Sequence, residues 1–209
     1  VAAEPKIELF FSNQKALNAD GEITKKSIWL ESLIERSSKL PKVTDSAVFA
    51  TAKWLVSANS FAHLNCTIVQ ASLFAKINGF DESLRYEEDK DLFWRLLDSA
   101  QVIVYDKNYV ALHYIPKQRG SASNDVEYLK KREIQIYIAE KNLLRASKQE
   151  IQSLCRQEIS NGCKHVANYL YKNKLPKLAF YYAKKSLISN FGFKWALFTL
   201  FLMFKKYLR

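Results

Sequence analysis

Residues 79–96, GFDESLRYEEDKDLFWRL, place carboxylates at Asp81, Glu82, Glu87, Glu88 and Asp89, with a sixth, Asp91, just inside an apolar-periodic run. Carboxylates are the side chains that take a proton from a weak nucleophile or hold a hard cation. Leu92, Phe93, Leu96 and Leu97 recur at helical spacing, so a helix from about 87 to 100 sets one face in a core. Glu87, Glu88 and Asp89 fall on its first turn, where free N–H groups and the helix dipole favour the ionised form. Two readings compete. One is helix capping together with an Asp91–Arg95 pair at i,i+4. The other is a fixed carboxylate delivered to a cleft. The surplus of acids favours the second, because capping needs one acid and NGFDESL sets several beside a Gly-governed turn.

The elements that must position these acids alternate in type. KIELFFS (6–12) has strand character and is followed by NADGE (18–22), a turn of the Asp-Gly kind. SIWLESLIERSSK (27–39) and AVFATAKWL (47–55) have helical spacing, the first stopping before Pro41. CTIVQ (66–70) is a short buried strand leading into the helix ASLFAKI (71–77), which Asn78-Gly79 terminates. QVIVYD (101–106) and YVALHYI (109–115) flank Lys107-Asn108 as a hairpin or as two sheet strands, and a polar loop, PKQRGSASND (116–125), follows. Strands interleaved with helices predict α/β layering. Beyond Asp125 the pattern becomes helical only, over 126–147, 150–172, 175–189 and 192–208. Within it, ANYLYKNKLPKLAFYYAKKSL has the small-then-aromatic spacing of a tetratricopeptide-like hairpin, a single unit that ordinary helix packing also explains.

Charge divides the chain at the same place. Residues 1–124 carry as many Lys and Arg as Asp and Glu, so the whole net charge of +11 lies in 125–209. Hydrophobic residues at 48% with 13% aromatics supply a packed core and exclude a disordered chain. Cys66, Cys155 and Cys163 form no CxxC pair, which fits a reducing compartment and buried thiols better than a disulfide frame or zinc site. The opening VAAEPKIELFF has Pro and two Glu where a signal peptide needs an apolar stretch. A first residue other than Met suggests a piece of a longer polypeptide.

The run ASLFAKINGFDESLRYEEDKDLFWRLL (71–97) resembles the acceptor-side signature of family 2 glycosyltransferases: an aromatic-containing helix, G-F-D-E, then an E-D pair opening a helix with D-L-x-x-R-L. HYIPKQRGSAS (113–123) resembles the family's closing loop, and ELFFSNQKALNADGEI (8–23) the strand and D-G turn after its nucleotide-binding half. The resemblance covers roughly residues 5–124. It implies a partial GT-A-type mixed sheet with flanking helices over 1–124, ahead of an all-α basic tail at 125–209. It also implies an inverting enzyme, metal-dependent through Mg2+ or Mn2+, that moves a sugar from a nucleotide-diphosphate donor to a hydroxyl of a saccharide or lipid-linked acceptor. Asp89 then corresponds to the family's general base and Glu88 to its neighbour, with Asp81 and Glu82 on the substrate side. His113, or alternatively Gln118, corresponds to the loop's metal ligand. Lys117 and Arg119 would meet phosphate oxygens, and Ser121 and Ser123 would order the loop.

The sequence also departs from that pattern. The nucleotide-binding half that should precede KIELFF is not in the chain, so a fragment or a second chain completing it is expected. Asp89-Lys90-Asp91 spells D-x-D, but its place after GFDE marks the base motif and not the donor metal site. In the tail, Trp195–Phe204 is apolar over too short a span to cross a bilayer, which needs about 20 residues. Trp195, Leu197, Leu200, Phe201 and Phe204 either pack on the preceding helices or meet an anionic membrane, flanked by Lys194, Lys205, Lys206 and Arg209. Nucleic acid is not expected, because the basic residues are scattered and carry no recognised motif. Surface polysaccharide or glycolipid synthesis at the cytoplasmic membrane face is the function these features imply. A non-catalytic docking module on a degenerate transferase remnant is the alternative.

Overall fold

The computed structural model describes residues 6–18, 20–23, 31–57, 63–114 and 127–207. Lys117, Gln118, Arg119, Ser121 and Ser123 lie outside the described residues. The chain divides into two compact units, Val1–Ser121 and Ala122–Arg209.

The first unit is an α/β fold on a mixed four-stranded sheet, ordered β2-β4-β1-β3. Its strands are β1 (Leu9–Leu17), β2 (Ala47–Ala50), β3 (Thr67–Val69) and β4 (Ile103–Tyr114). β1 runs parallel to β4, while β2 and β3 pair antiparallel at the two flanks. Around the sheet lie α1 (Glu31–Ser37), α2 (Ala52–Ser57), a 3-10 turn at Leu64–Cys66, α3 (Ala71–Lys76) and α4 (Glu88–Ser99). Leu9, Phe11, Val104 and Tyr105 supply the buried centre of the sheet, where Tyr105 meets the rings of Phe11 and Trp54 at 5.3 and 5.6 Å. α4 is buried along its middle, with Leu92, Trp94 and Leu96 almost wholly removed from water. Each such side chain contributes roughly 1.5–3 kcal/mol by burial.

Three local expectations need correction. Residues 47–55 are not one helix. Ala47–Ala50 pairs with β4, and Thr51 Oγ1 accepts the Trp54 N–H at 3.1 Å, so a new helix begins behind a capping Thr. Lys107-Asn108 makes no hairpin either, because β4 runs straight through it as one strand. Opposite Phe11 and Asn13 of β1 stand Tyr105 and Tyr109, so β4 carries extra residues there and bulges. The bulge is held from β1: Asn13 Nδ2 donates to the Lys107 carbonyl at 2.7 Å, and Ser12 Oγ donates to the Asn108 carbonyl. Finally, β1 continues past residue 12, because Asn13 finds the Tyr105 hydroxyl at 2.9 Å and its polarity costs nothing.

The second unit contains α5 (Tyr128–Arg145), α6 (Gln149–Lys172), α7 (Pro176–Ser189) and α8 (Phe193–Tyr207), each packed on the next. α5 and α6 pack on each other, and Ile136, Ile138 and Ala139 of α5 and Cys155, Ile159, Cys163 and Val166 of α6 are all buried. Gly162 lets these two helices close in. A Cβ at that position would stand 2.6 Å from Ile136 Cγ1. Between α6 and α7, Ser160 and Ser186 share a buried hydroxyl–hydroxyl bond of 2.8 Å beside the small residues Ala179 and Ala183. Lys174 takes the left-handed conformation (φ 61°) that ends α6, and Leu175 N–H returns to the Leu170 carbonyl at 2.9 Å. Trp195 Nε1 ties α8 to α7 through the Ala183 carbonyl at 3.2 Å.

Candidate functional site

α3 stops where a side chain could not easily continue it. Asn78 and Gly79 both have positive φ (60° and 58°), and Gly79 N–H bonds back to the Phe74 carbonyl at 3.0 Å. Phe80 packs edge-on against Phe74, and Asp81 then folds the loop on itself. Its Oδ1 accepts both the Ser83 hydroxyl at 2.6 Å and the Ser83 N–H at 3.2 Å. Asp81 therefore shapes the loop that leads to α4, whereas Glu82 is exposed at its tip.

The first turn of α4 separates its acids into different roles. Asp91 is fully buried and holds Arg95, with Oδ2 2.8 Å from Nε and 2.7 Å from Nη2. Arg95 Nη1 reaches the carbonyls of Ile77 and Gly79 at 2.7 and 2.6 Å. The pair thus pins the α3 terminus and the Gly-Phe turn to α4. Glu87, immediately before the helix, sits at φ 57°, a conformation costly for a residue with a Cβ. Its carboxylate lies 3.5 Å from Lys90 Nζ, and that ammonium also stands 5.1 Å over the Trp94 ring. Asp89 is half-buried, accepts its neighbour's Lys90 N–H at 2.7 Å, and has no ion-pair partner among the described residues. Glu88 is half-buried beside it. A strained residue leads directly into the two acids, while Lys90 pairs with Glu87 and Arg95 with Asp91. Asp89 thus stands at a helix N-terminus with no ion-pair partner among the described residues.

His113 lies near the end of β4, where its ring meets that of His63 edge-on at a centroid distance of 5.0 Å. Burial, followed by the charge of His63, lowers its pKa. No bond between His113 and Asp89 or Glu88 is present among the described residues. None of the described residues forms a cluster of three His, Cys, Asp or Glu side chains able to hold a metal. Two facing imidazoles are a poor donor set for Mg2+, which takes oxygen ligands. The described residues do not by themselves make up a divalent-cation site.

Two features were not legible as site residues in the sequence. Gln14 is buried in β1 with both side-chain polar atoms lacking a partner among the described residues, beside the bulge and near the carboxyl ends of the parallel strand pair. In open α/β sheets that edge is where ligands bind. His63 was hidden because only the fold brings its turn to β4. A hollow of about 270 Å³ also opens beside α4, but its walls are apolar, including Leu64, Val69, Phe74, Phe80, Leu92 and Phe93. None of Asp81, Glu82, Glu88, Asp89 and His113 lines it.

Comparisons of the chain with protein-family models, with curated proteins and with solved structures find no match.

Proposed function

We propose that the first unit is the acceptor-side part of an inverting, nucleotide-sugar-dependent glycosyltransferase of the family 2, GT-A kind, with Asp89 as its general base. The supporting observation is the division of labour in α4. Asp91 takes the structural ion pair with Arg95, and Asp89 stays half-buried with no ion pair among the described residues. The mixed sheet and the Gly-Phe turn are of the kind that the resemblance implies.

In this reading Asp89 removes the proton of the acceptor hydroxyl as its oxygen attacks the anomeric carbon. The bond from that carbon to the diphosphate breaks in the same displacement, and the electron pair leaves on the diphosphate oxygen. Glu88 supports the carboxylate, and Asp81 keeps the loop before it folded. The test is transfer by the full-length protein across a panel of nucleotide sugars, with saccharide and lipid-linked acceptors. Asp89→Asn should lower kcat by about 100- to 10,000-fold, the usual contribution of a positioned base, with an unchanged melting temperature. Normal turnover in that variant, or no transfer by the wild type from any donor, would remove the assignment.

A further inference from the structure

α8 has two unlike sides. Thr199 and Leu202 are buried, while Phe193, Leu197, Leu200, Phe201 and Phe204 are exposed over 71, 54, 49, 40 and 63% of their area. At 3.6 residues per turn these five fall within an arc of about 100°, so the stripe turned to water is the apolar one. This corrects the packing expectation for Leu197, Leu200 and Phe204, which face water; Phe201, at the edge of the stripe, meets the Tyr171 ring of α6 edge-on at 5.7 Å and so packs on a preceding helix as well. Exposed lysines edge the stripe, Lys194 near its start and Lys205 near its end, the latter with Nζ 5.8 Å over the Phe201 ring. The surroundings carry one sign of charge, because no Asp or Glu follows Glu158 whereas ten Lys and Arg do.

No helix among the described residues is long and apolar enough to cross a membrane. An apolar stripe with a cationic rim is instead the pattern of a helix lying in a bilayer interface. A second copy of this chain would bring cationic rim against cationic rim. Nucleic acid would satisfy the lysines and leave Leu197, Leu200 and Phe204 in water. An anionic lipid surface satisfies both halves of the pattern at once. We propose that α8 docks flat on an anionic bilayer, with Phe193, Leu197, Leu200 and Phe204 at the headgroup–acyl boundary and Lys194 and Lys205 against lipid phosphates. The proposal is independent of the transferase reading.

The experiment is co-sedimentation of the full chain with vesicles of phosphatidylcholine containing one-third phosphatidylglycerol, against phosphatidylcholine alone. Binding should require the anionic lipid and weaken with salt. Leu197→Asp/Phe204→Asp should reduce it about a hundredfold, since two large apolar contacts are lost. Both positions face water, so circular dichroism and melting should not change. Lys194→Gln/Lys205→Gln should weaken binding and flatten its salt dependence. Three outcomes would overturn the proposal: no vesicle binding, full binding by the Asp pair, or single-stranded RNA held more tightly than vesicles. A lipid-free dimer that the Asp pair dissociates would do so as well.

Discussion

Arg95 closes on Asp91 one helical turn away, with Nε and Nη2 at 2.8 and 2.7 Å from the same carboxylate oxygen, and both side chains are buried. A buried pair is costly to break from one side, because the abandoned charge keeps no solvent. Arg95→Met should therefore destabilise the first unit by about 3–5 kcal/mol, read by urea denaturation. Asp91→Asn/Arg95→Met should recover part of that loss. Equal stability of Arg95→Met and wild type would mean the pair does not pin the Gly-Phe turn.

Gln14 supplies the opposite sign. Its amide is buried with neither polar atom paired among the described residues, and an unsatisfied buried polar group costs about 1–3 kcal/mol. Gln14→Leu should raise the denaturation midpoint of the first unit. A lowered midpoint would show that the amide has a partner in solution.

Gly162 decides how closely α5 and α6 approach. Alanine there gains up to about 1 kcal/mol of helix propensity, but its Cβ would stand 2.6 Å from Cγ1 of Ile136. Such overpacking costs about 1–3 kcal/mol, so Gly162→Ala should be net destabilising by roughly 1 kcal/mol. In an Ile136→Ala background the sign should reverse. Calorimetry of both pairs checks it.

His113 and His165 each have a lowered pKa, caused first by burial and then by a neighbouring positive charge: His63 for the former, Arg132 for the latter. Above the ordinary imidazole value near 6.5, both states are neutral and the shift has no effect on stability. Below it, the unfolded chain binds protons that the folded chain resists, so stability falls as pH drops and levels off below the folded pKa. Replacing His113 or His165 with Asn should flatten that loss between about pH 7 and 5. Denaturation midpoints measured across this range test the slope, and a steeper slope in the variants would contradict it.

Helices are legible where sequence periodicity carries the information. The end of α3 at Asn78-Gly79, the body of α4, and four helices after Asp125 all follow from apolar spacing and Gly or Asn stops. The Asp91–Arg95 pair was legible too, because i,i+4 geometry is local. What escaped depends on partners distant in sequence. Ser12 and Asn13 look like the end of a strand until Tyr105, Lys107 and Asn108 arrive as partners for them. The reach of Arg95 to the Ile77 and Gly79 carbonyls and the meeting of His63 with His113 are likewise products of the fold. In α8 the pattern showed an amphipathic helix without showing which side would be covered; the buried side proved to be that of Thr199 and Leu202.

The three free thiols are all buried, Cys66 beside the sheet and Cys155 and Cys163 on α6, and burial raises the pKa of Cys66 and pushes that of Cys163 up to about 11. Each can meet an alkylating reagent only when its own unit opens. The molecule thereby carries built-in clocks: modification of Cys66 times the opening of one half, and modification of the α6 pair times the other. Mass spectrometry after brief labelling can read the two rates in a single native sample, without any engineered probe.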